Sequence, residues 1–264
     1  MEQVKKAELS IVTVNFGSAD KVLNLYQSIV KNPPSVPWEL IIVDNPTKKG
    51  GDGEFLEKNF AGNSQVHVIK LAKNLGYGEG NNEGVKFAEG EFLAICNPDT
   101  EVLVGTFDKL LNVLASHKKV GITVPVLQTK DGKILENCRE FPTIWSLIKR
   151  RLFRKNPFCQ NPSSPLSQRE KIRETDWAQG SFWAMKKEVF KNFAGFDPRF
   201  FLFMEDIDFC RRLKKAGFEV VQVLDAIAIH SPNRLSGGFI GSAIFRKTFW
   251  IHLASAVKYF WKWK

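Results

Sequence analysis

The sequence predicts an α/β domain with a mixed, mostly parallel sheet flanked by helices. Three observations carry that prediction. Short β-branched runs alternate with segments of helical period, the connections between them are short, and an Asn or Asp stands just after several of the apolar runs. Alternation of this kind wraps helices over both faces of parallel strands. Ligands of such sheets sit at the carboxyl ends of the strands, where Asn15, Asp44, Asn74, Asn97 and Asp99 fall.

Leu9–Val14 reads as the first strand. Asn15 to Ser18 is a turn, and Ser18 or Asp20 is placed to cap the helix that follows. Val22, Leu25, Tyr26, Ile29 and Val30 keep helical spacing until Pro33-Pro34. Glu39–Asp44 and Val66–Leu71 are further strands, and Gly78–Ala88 is a helix with a glycine-rich start. Phe92–Cys96 is a fourth strand, running into Asn97-Pro98-Asp99-Thr100. Thr106–Ser116 is a helix and Val120–Leu127 a strand. The rhythm then breaks. Gly132–Glu136 reads as a short strand, Ile144–Lys155 is aromatic and basic, and Asn156–Gln168 is a Pro-, Ser- and Asn-rich loop. Order resumes at Trp177–Met185, with a short helix over Lys187–Asn192. A second helix spans Asp206–Ala216, and strands follow over Glu219–Leu224 and Ala226–Ile229, ending at His230. Ile244–Trp261 reads as an amphipathic helix.

The 264 residues suffice for one large domain with a real core. Hydrophobic residues at 44% and charged residues at 25% are those of a globular protein. The net charge of +10 points to an anionic partner. Much of it lies in Lys133–Arg173, with ten Lys and Arg against three Glu. Nucleic acid is not the expected partner, because no recognition helix, RNP-like motif or zinc pattern accompanies the charge. Cys96, Cys138, Cys159 and Cys210 lack CxxC spacing and read as free thiols of a reducing cytosol. Residues 1–10 lack an apolar signal core, and no apolar run reaches a membrane-spanning length.

Two constellations carry chemistry. Asn97-Pro98-Asp99 ends a buried strand, and a carboxylate there supplies a hard oxygen for a divalent metal holding a diphosphate. Glu205-Asp206 opens a helix beneath Phe200, Phe201 and Phe203, which suits a general base. By itself each pattern also fits a turn or a helix cap. The glycines Gly76, Gly78, Gly80 and Gly84 do not follow the first strand or precede an acid at the proper spacing, so a dinucleotide fingerprint is not expected.

Taken in order, Val43-Asp44-Asn45, Asn74-Leu-Gly-Tyr-Gly-Glu-Gly-Asn-Asn-Glu-Gly84, Asn97-Pro98-Asp99, Trp177-Ala-Gln179-Gly180, Gly195-Phe-Asp197 and Glu205-Asp206-Ile-Asp208 resemble the inverting family 2 glycosyltransferases of GT-A fold. Within that family they look like the rhamnosyltransferase branch. The resemblance runs from about Leu9 to His230. It implies transfer of a sugar from a nucleotide diphosphate donor, dTDP-L-rhamnose first and UDP-sugars second. The acceptor would be a glycan or polyprenyl-linked molecule in cell-surface polysaccharide synthesis. It assigns Asp206 as base with Glu205 beside it, and Asp99 with His230 as ligands of Mg²⁺ or Mn²⁺. It places Val14, Asn15 and Asp44 at the base, and Asn74, Gly78 and Asn82 beside the ribose and diphosphate. Asn97 joins Asp99, Arg234 pairs with donor phosphate, and Trp177, Gln179 and Gly180 form the acceptor wall. Asp208 is left as a helix-dipole residue. The implied division is a GT-A domain over residues 1–240, with a nucleotide half over 1–130 and an acceptor half over 131–240. A basic amphipathic helix over 241–264 follows. A non-catalytic GT-A-fold protein that binds glycan or membrane is the alternative.

Ile144–Lys155 mixes apolar and basic residues. Phe245, Phe249, Leu253, Val257 and Trp261 recur every four residues among Arg246, Lys247, Lys258, Lys262 and Lys264. Both segments fit helices lying on an anionic membrane surface, which implies peripheral placement on the cytoplasmic face of the inner membrane. Packing on the domain, or on a second copy in a homodimer, are the competing roles for the terminal helix.

Overall fold

The computed structural model describes residues 6–143, 145, 171–231 and 247–264. Most of the aromatic and basic stretch after Thr143, the Pro- and Ser-rich loop, Cys159, Arg234, Phe245 and Arg246 lie outside the described residues.

The chain begins β1 (Leu9–Asn15), α1 (Ala19–Lys31), β2 (Trp38–Asp44), α2 (Gly53–Asn59), β3 (Val66–Lys70), α3 (Gly76–Val85), β4 (Phe92–Cys96), β5 (Thr100–Val102), α4 (Thr106–Ser116) and β6 (Val120–Gln128). It continues with β7 (Ile134–Leu135), β8 (Cys138–Arg139), β9 (Ile172–Thr175), β10 (Trp177–Ala178), β11 (Phe182–Lys186), α5 (Lys187–Asn192), α6 (Glu205–Lys215), β12 (Glu219–His230) and α7 (Lys247–Lys262). The main sheet runs β3-β2-β1-β4-β11-β6-β12-β5, with β7 on β6 and β9 on β12. The first four strands are parallel, as are β6 and β12, whereas β11 is antiparallel to both its neighbours. β8 and β10 form a separate small ladder.

Period-two alternation divides the core. Leu9 and Ile11 pack on one face with Val22, Leu25 and Ile29 of α1 and Phe107 and Leu110 of α4. Val12 and Val14 face the other side, with Val85, Trp183, Phe190, Phe196, Phe209 and Leu213. Tyr259 of α7 joins this second layer and is fully buried. The terminal helix therefore packs on the domain along one face.

Several local expectations change in three dimensions. The α1 N-terminus is not capped by a Ser18 side chain. Asn15 Oδ1 instead accepts from the Ser18 N–H and hydroxyl, and Asp52 accepts from the Ala19 N–H. The two strands expected around Asp225 are one strand, irregular between Val223 and Ile227. There the Lys109 ammonium and the Thr106 hydroxyl from α4 donate to the Asp225 and Ile227 carbonyls. α2, β5, β8 and β9 are short elements formed by pairing or packing, and local pattern does not announce them.

Candidate active site

Three strand ends and the start of α6 build the site. β1 and β2 are in register from Leu9–Trp38 to Asn15–Asp44, so Asn15 and Asp44 end side by side. Both are buried. Asn15 Nδ2 donates to Asp44 Oδ1 at 2.8 Å and to Asp52 Oδ2 at 2.9 Å. Gly51 covers the carboxylate, since a Cβ there would stand 2.2 Å from Asp44 Oδ2. Asp52 and Gly51 belong to a loop with no strand or helix pattern, and the sequence offered no signal for them.

Asn45, also unforeseen, holds the start of α3. Its Oδ1 accepts from the Leu75 N–H at 2.9 Å, and its Nδ2 donates to the Gly76 carbonyl at 2.9 Å. Asn74 Oδ1 accepts from the Gly76 N–H. Gly76 has φ +85, and a Cβ would come within 1.9 Å of the Phe201 carbonyl, so only glycine fits. Gly78 packs closely against Phe196 and Glu205, where a Cβ would stand 3.0 and 3.4 Å from their Cβ atoms. Asn82, expected beside the donor, is committed elsewhere. Its Nδ2 donates to the Phe196 carbonyl and its Oδ1 accepts from the Phe196 N–H, both at 2.8 Å.

The centre is a junction between β4 and β11. The Asn97 N–H donates to the Ser181 carbonyl at 2.8 Å, and the neighbouring Gly180 N–H donates to Asp206 Oδ2 at 3.2 Å. Two peptide contacts thus draw Asn97-Pro98-Asp99 and Glu205-Asp206, more than 100 residues apart in the chain, around one turn. Tyr77 closes it by donating its hydroxyl to the Gly180 carbonyl. Asp206 Oδ1 accepts from the Ile207 N–H at 2.8 Å. Asn97 Oδ1, Ser181 Oγ and Glu205 Oε2 are buried without a hydrogen-bond partner, and buried Asp99 Oδ1 has the His230 imidazole beside it. A group of orphaned polar atoms at strand ends marks a place built for a ligand.

The electrostatics separate the two corners. Burial pushes Asp99 up, but the His230 imidazole and the Lys21 ammonium outweigh it and leave the carboxyl below its ordinary value. His230 Nε2 lies 3.2 Å from Asp99 Oδ1, and Lys21 Nζ lies 3.9 Å from Oδ2. β5 creates the His230 contact by pairing Thr100 with His230 on β12. Burial raises Glu205 well above the usual carboxylate range, reinforced by the neighbouring Asp206 charge. Burial raises Asp206 as well, opposed by the Gly180 and Ile207 N–H groups. The pair titrates as one unit. The Gly180 and Ile207 N–H groups favour the charged form of Asp206, and burial raises Glu205 the more strongly of the two.

The Asp99 carboxylate with the His230 imidazole nitrogen 3.2 Å away is a donor set that fits Mg²⁺ or Mn²⁺. Among the described residues no group of three or more His, Cys, Asp or Glu converges, so diphosphate oxygens and water would complete any shell.

Of the residues expected on the acceptor side, Gly180 donates its N–H to Asp206, whereas the Gln179 backbone bonds to Asn137 and to the Trp183 indole. Trp177 does not offer the open apolar face expected of it. It is 6% exposed, its Nε1 donates to the Glu140 carbonyl, and Arg139 lies 5.5 Å over its ring. Asp208 is more than a dipole residue. It is fully buried and receives Arg212, Lys262 and the Trp263 indole N–H.

The family profile described as Glycosyl transferase family 2 matches residues 10–193. Among curated relatives, the N-acetylglucosaminyl-diphospho-decaprenol L-rhamnosyltransferase of Mycobacterium tuberculosis is 26% identical over 245 residues, spanning 86% of this chain and 78% of the relative. The rhamnosyltransferase WbbL of Escherichia coli is 25% identical over 266 residues, spanning 94% of this chain and 91% of the relative. Among solved structures, GalNAc-T7 with UDP, GalNAc and Mn²⁺ superposes with a TM-score of 0.64 at 15% identity. That match covers 86% of this chain and 44% of the solved one, so the chain spans less than half of that protein. The shared fold is GT-A.

The Asn82 geometry has a measurable consequence. Asn82→Ala orphans the Phe196 N–H and carbonyl and is expected to lower unfolding free energy by about 1–3 kcal/mol in urea denaturation. Unchanged stability would place Asn82 outside the framework.

Proposed function

The chain belongs to glycosyl transferase family 2, and from that premise we propose that it performs an inverting transfer from a nucleotide diphosphate sugar, with Asp206 as base. The observation that carries this reading is the Asp206 carboxylate, held by the Gly180 N–H one residue from the Ser181–Asn97 contact. One turn thereby joins the acceptor base to the diphosphate corner.

The geometry supports a role for each residue. Asp44 and Asn15, with Val14 between the strand cores, form the floor for the base of the nucleotide. Asn74 and Gly78 shape the α3 wall beside the ribose and diphosphate, while Asn82 braces that wall against Phe196. Asp99 and His230 would hold Mg²⁺ or Mn²⁺, with the unpartnered Asn97 Oδ1 two residues before Asp99. Bound there, the metal would neutralise charge on the departing nucleoside diphosphate. Lys21 adds a cation near Asp99. Asp206 takes the proton of the acceptor hydroxyl as that oxygen attacks the anomeric carbon from the face opposite the leaving group, which inverts the centre. Glu205, beside it, orients the neighbouring carboxylate. Residues 1–130 serve the donor, and residues 131–240 serve the acceptor.

The donor is read as dTDP-L-rhamnose before UDP-sugars, and the acceptor as a polyprenyl-linked glycan of cell-surface polysaccharide synthesis. The two rhamnosyltransferase relatives support this, one of them named for a decaprenol diphosphate acceptor. No helix among the described residues is long and apolar enough to cross a membrane. The basic terminal helix supports peripheral attachment at the cytoplasmic face.

Asp206→Asn is expected to abolish sugar transfer, measured by nucleotide release with acceptor present, while nucleotide binding in a thermal-shift assay survives. Turnover near wild type would remove Asp206 from the base role.

Because the base must be ionised and burial raises the pair, kcat/KM falls as pH drops through a value above the ordinary carboxylate range of about 4. A pH–rate profile with its acid limb at or below that range would contradict this assignment.

EDTA is expected to stop transfer, with Mg²⁺ or Mn²⁺ restoring it; full activity in chelator would sink the metal role of Asp99 and His230.

A further inference from the structure

α7 has two working faces. The inner face meets the turn that leads into Glu205-Asp206. Ser255 Oγ donates to the Leu202 carbonyl at 2.9 Å, and Lys258 Nζ donates to the Arg199 carbonyl at 2.9 Å. The His252 ring lies 4.6 Å from Phe203. Lys262 reaches both Asp197 and Asp208 at 2.7 Å, and Arg211 donates to the buried Tyr259 hydroxyl. The turn so held is strained. Phe203 and Met204 have φ of 68° and 72°, a region costly for side-chain-bearing residues, and they directly precede the catalytic pair. Such a conformation persists only where its surroundings over-determine it, and α7 supplies much of that surround.

The outer face is apolar. Leu253, Val257 and Trp261, spaced four apart, are 45%, 60% and 74% exposed. Lys247 and Lys264 border them in exposed positions, and Lys247–Lys264 contains no Asp or Glu. An apolar stripe with a tryptophan, rimmed by lysines and free of acids, is complementary to an anionic bilayer surface. A protein partner of ordinary mixed charge has no such match.

We propose that the outer face of α7 docks on an anionic lipid bilayer and that the same helix transmits this contact to the turn carrying Glu205 and Asp206. The inference rests on the transferase reading only for the role of that pair. A lipid-linked acceptor would then meet a base whose supporting turn is ordered at the membrane itself.

Vesicle flotation and amide hydrogen exchange of the full chain test this without donor or acceptor, so failure here leaves the transfer reading standing. Wild type is expected to bind phosphatidylglycerol-containing vesicles and not pure phosphatidylcholine ones. Leu253→Ser with Trp261→Ser should weaken binding by at least about tenfold with an unchanged Tm, since both side chains lie outside the core. On anionic vesicles, amide exchange should slow in residues 247–262 and also in 199–206. Equal binding by the variant, or equal binding to neutral vesicles, overturns the docking surface. A solution dimer that the variant splits into monomers also overturns it, by making the stripe a contact between copies. Protection of 247–262 without protection of 199–206 overturns the transmission.

Discussion

The hydrogen bond from the Gly180 N–H to Asp206 is the contact on which the site depends. Gly180 lies in the turn between β10 and β11, and β11 is antiparallel to β4. That antiparallel strand brings the turn to the carboxyl end of β4, where Asn97 and Asp99 stand. Had β11 joined the sheet in parallel, like the first four strands, its start would lie at the opposite edge. The acid at the start of α6 would then have no link to the diphosphate corner.

Around this contact, polar groups divide into two kinds. Asn45 and Asn82 have amides fully engaged with backbone, and they hold the α3 start and the Gly195–Phe196 turn in place. Asn97, Ser181 and Glu205 each keep a buried atom with no protein partner. The first kind fixes positions. The second is open to a ligand; Thr13 and Asn81 in the framework also keep an orphaned atom, so it is the place at the ends of β4 and β11 that sets the site atoms apart. The sequence motifs mix both kinds, and nothing in residue type separates Asn82 from Asn97.

The terminal helix shows the same ambiguity on a larger scale. A four-residue apolar repeat among lysines fits a membrane-facing helix and a packed helix alike. Tyr259, Ser255 and Lys262 settle the inner face by what they touch, whereas Leu253, Val257 and Trp261 remain outward. The sequence pattern had named the outward stripe and passed over the inward one, because Tyr259 and Ser255 break no hydrophobic period.

Much of the framework was legible in the sequence: the parallel strands β1, β2, β3 and β4, α4, β6, and the acids at strand and helix ends. β-branched runs and helical periodicity are local properties, and motif order reveals the family. Tertiary structure alone decided which polar side chains are spent and which are left open. It turned Trp177 from a sugar platform into a core ring, made Asp208 an anchor for Lys262 and Trp263, and set His230 against Asp99 through the β5–β12 pairing. Each of these depends on a partner distant in sequence. Burial and hydrogen bonding are settled by what arrives from elsewhere in the chain, and the local pattern of residues does not carry that information.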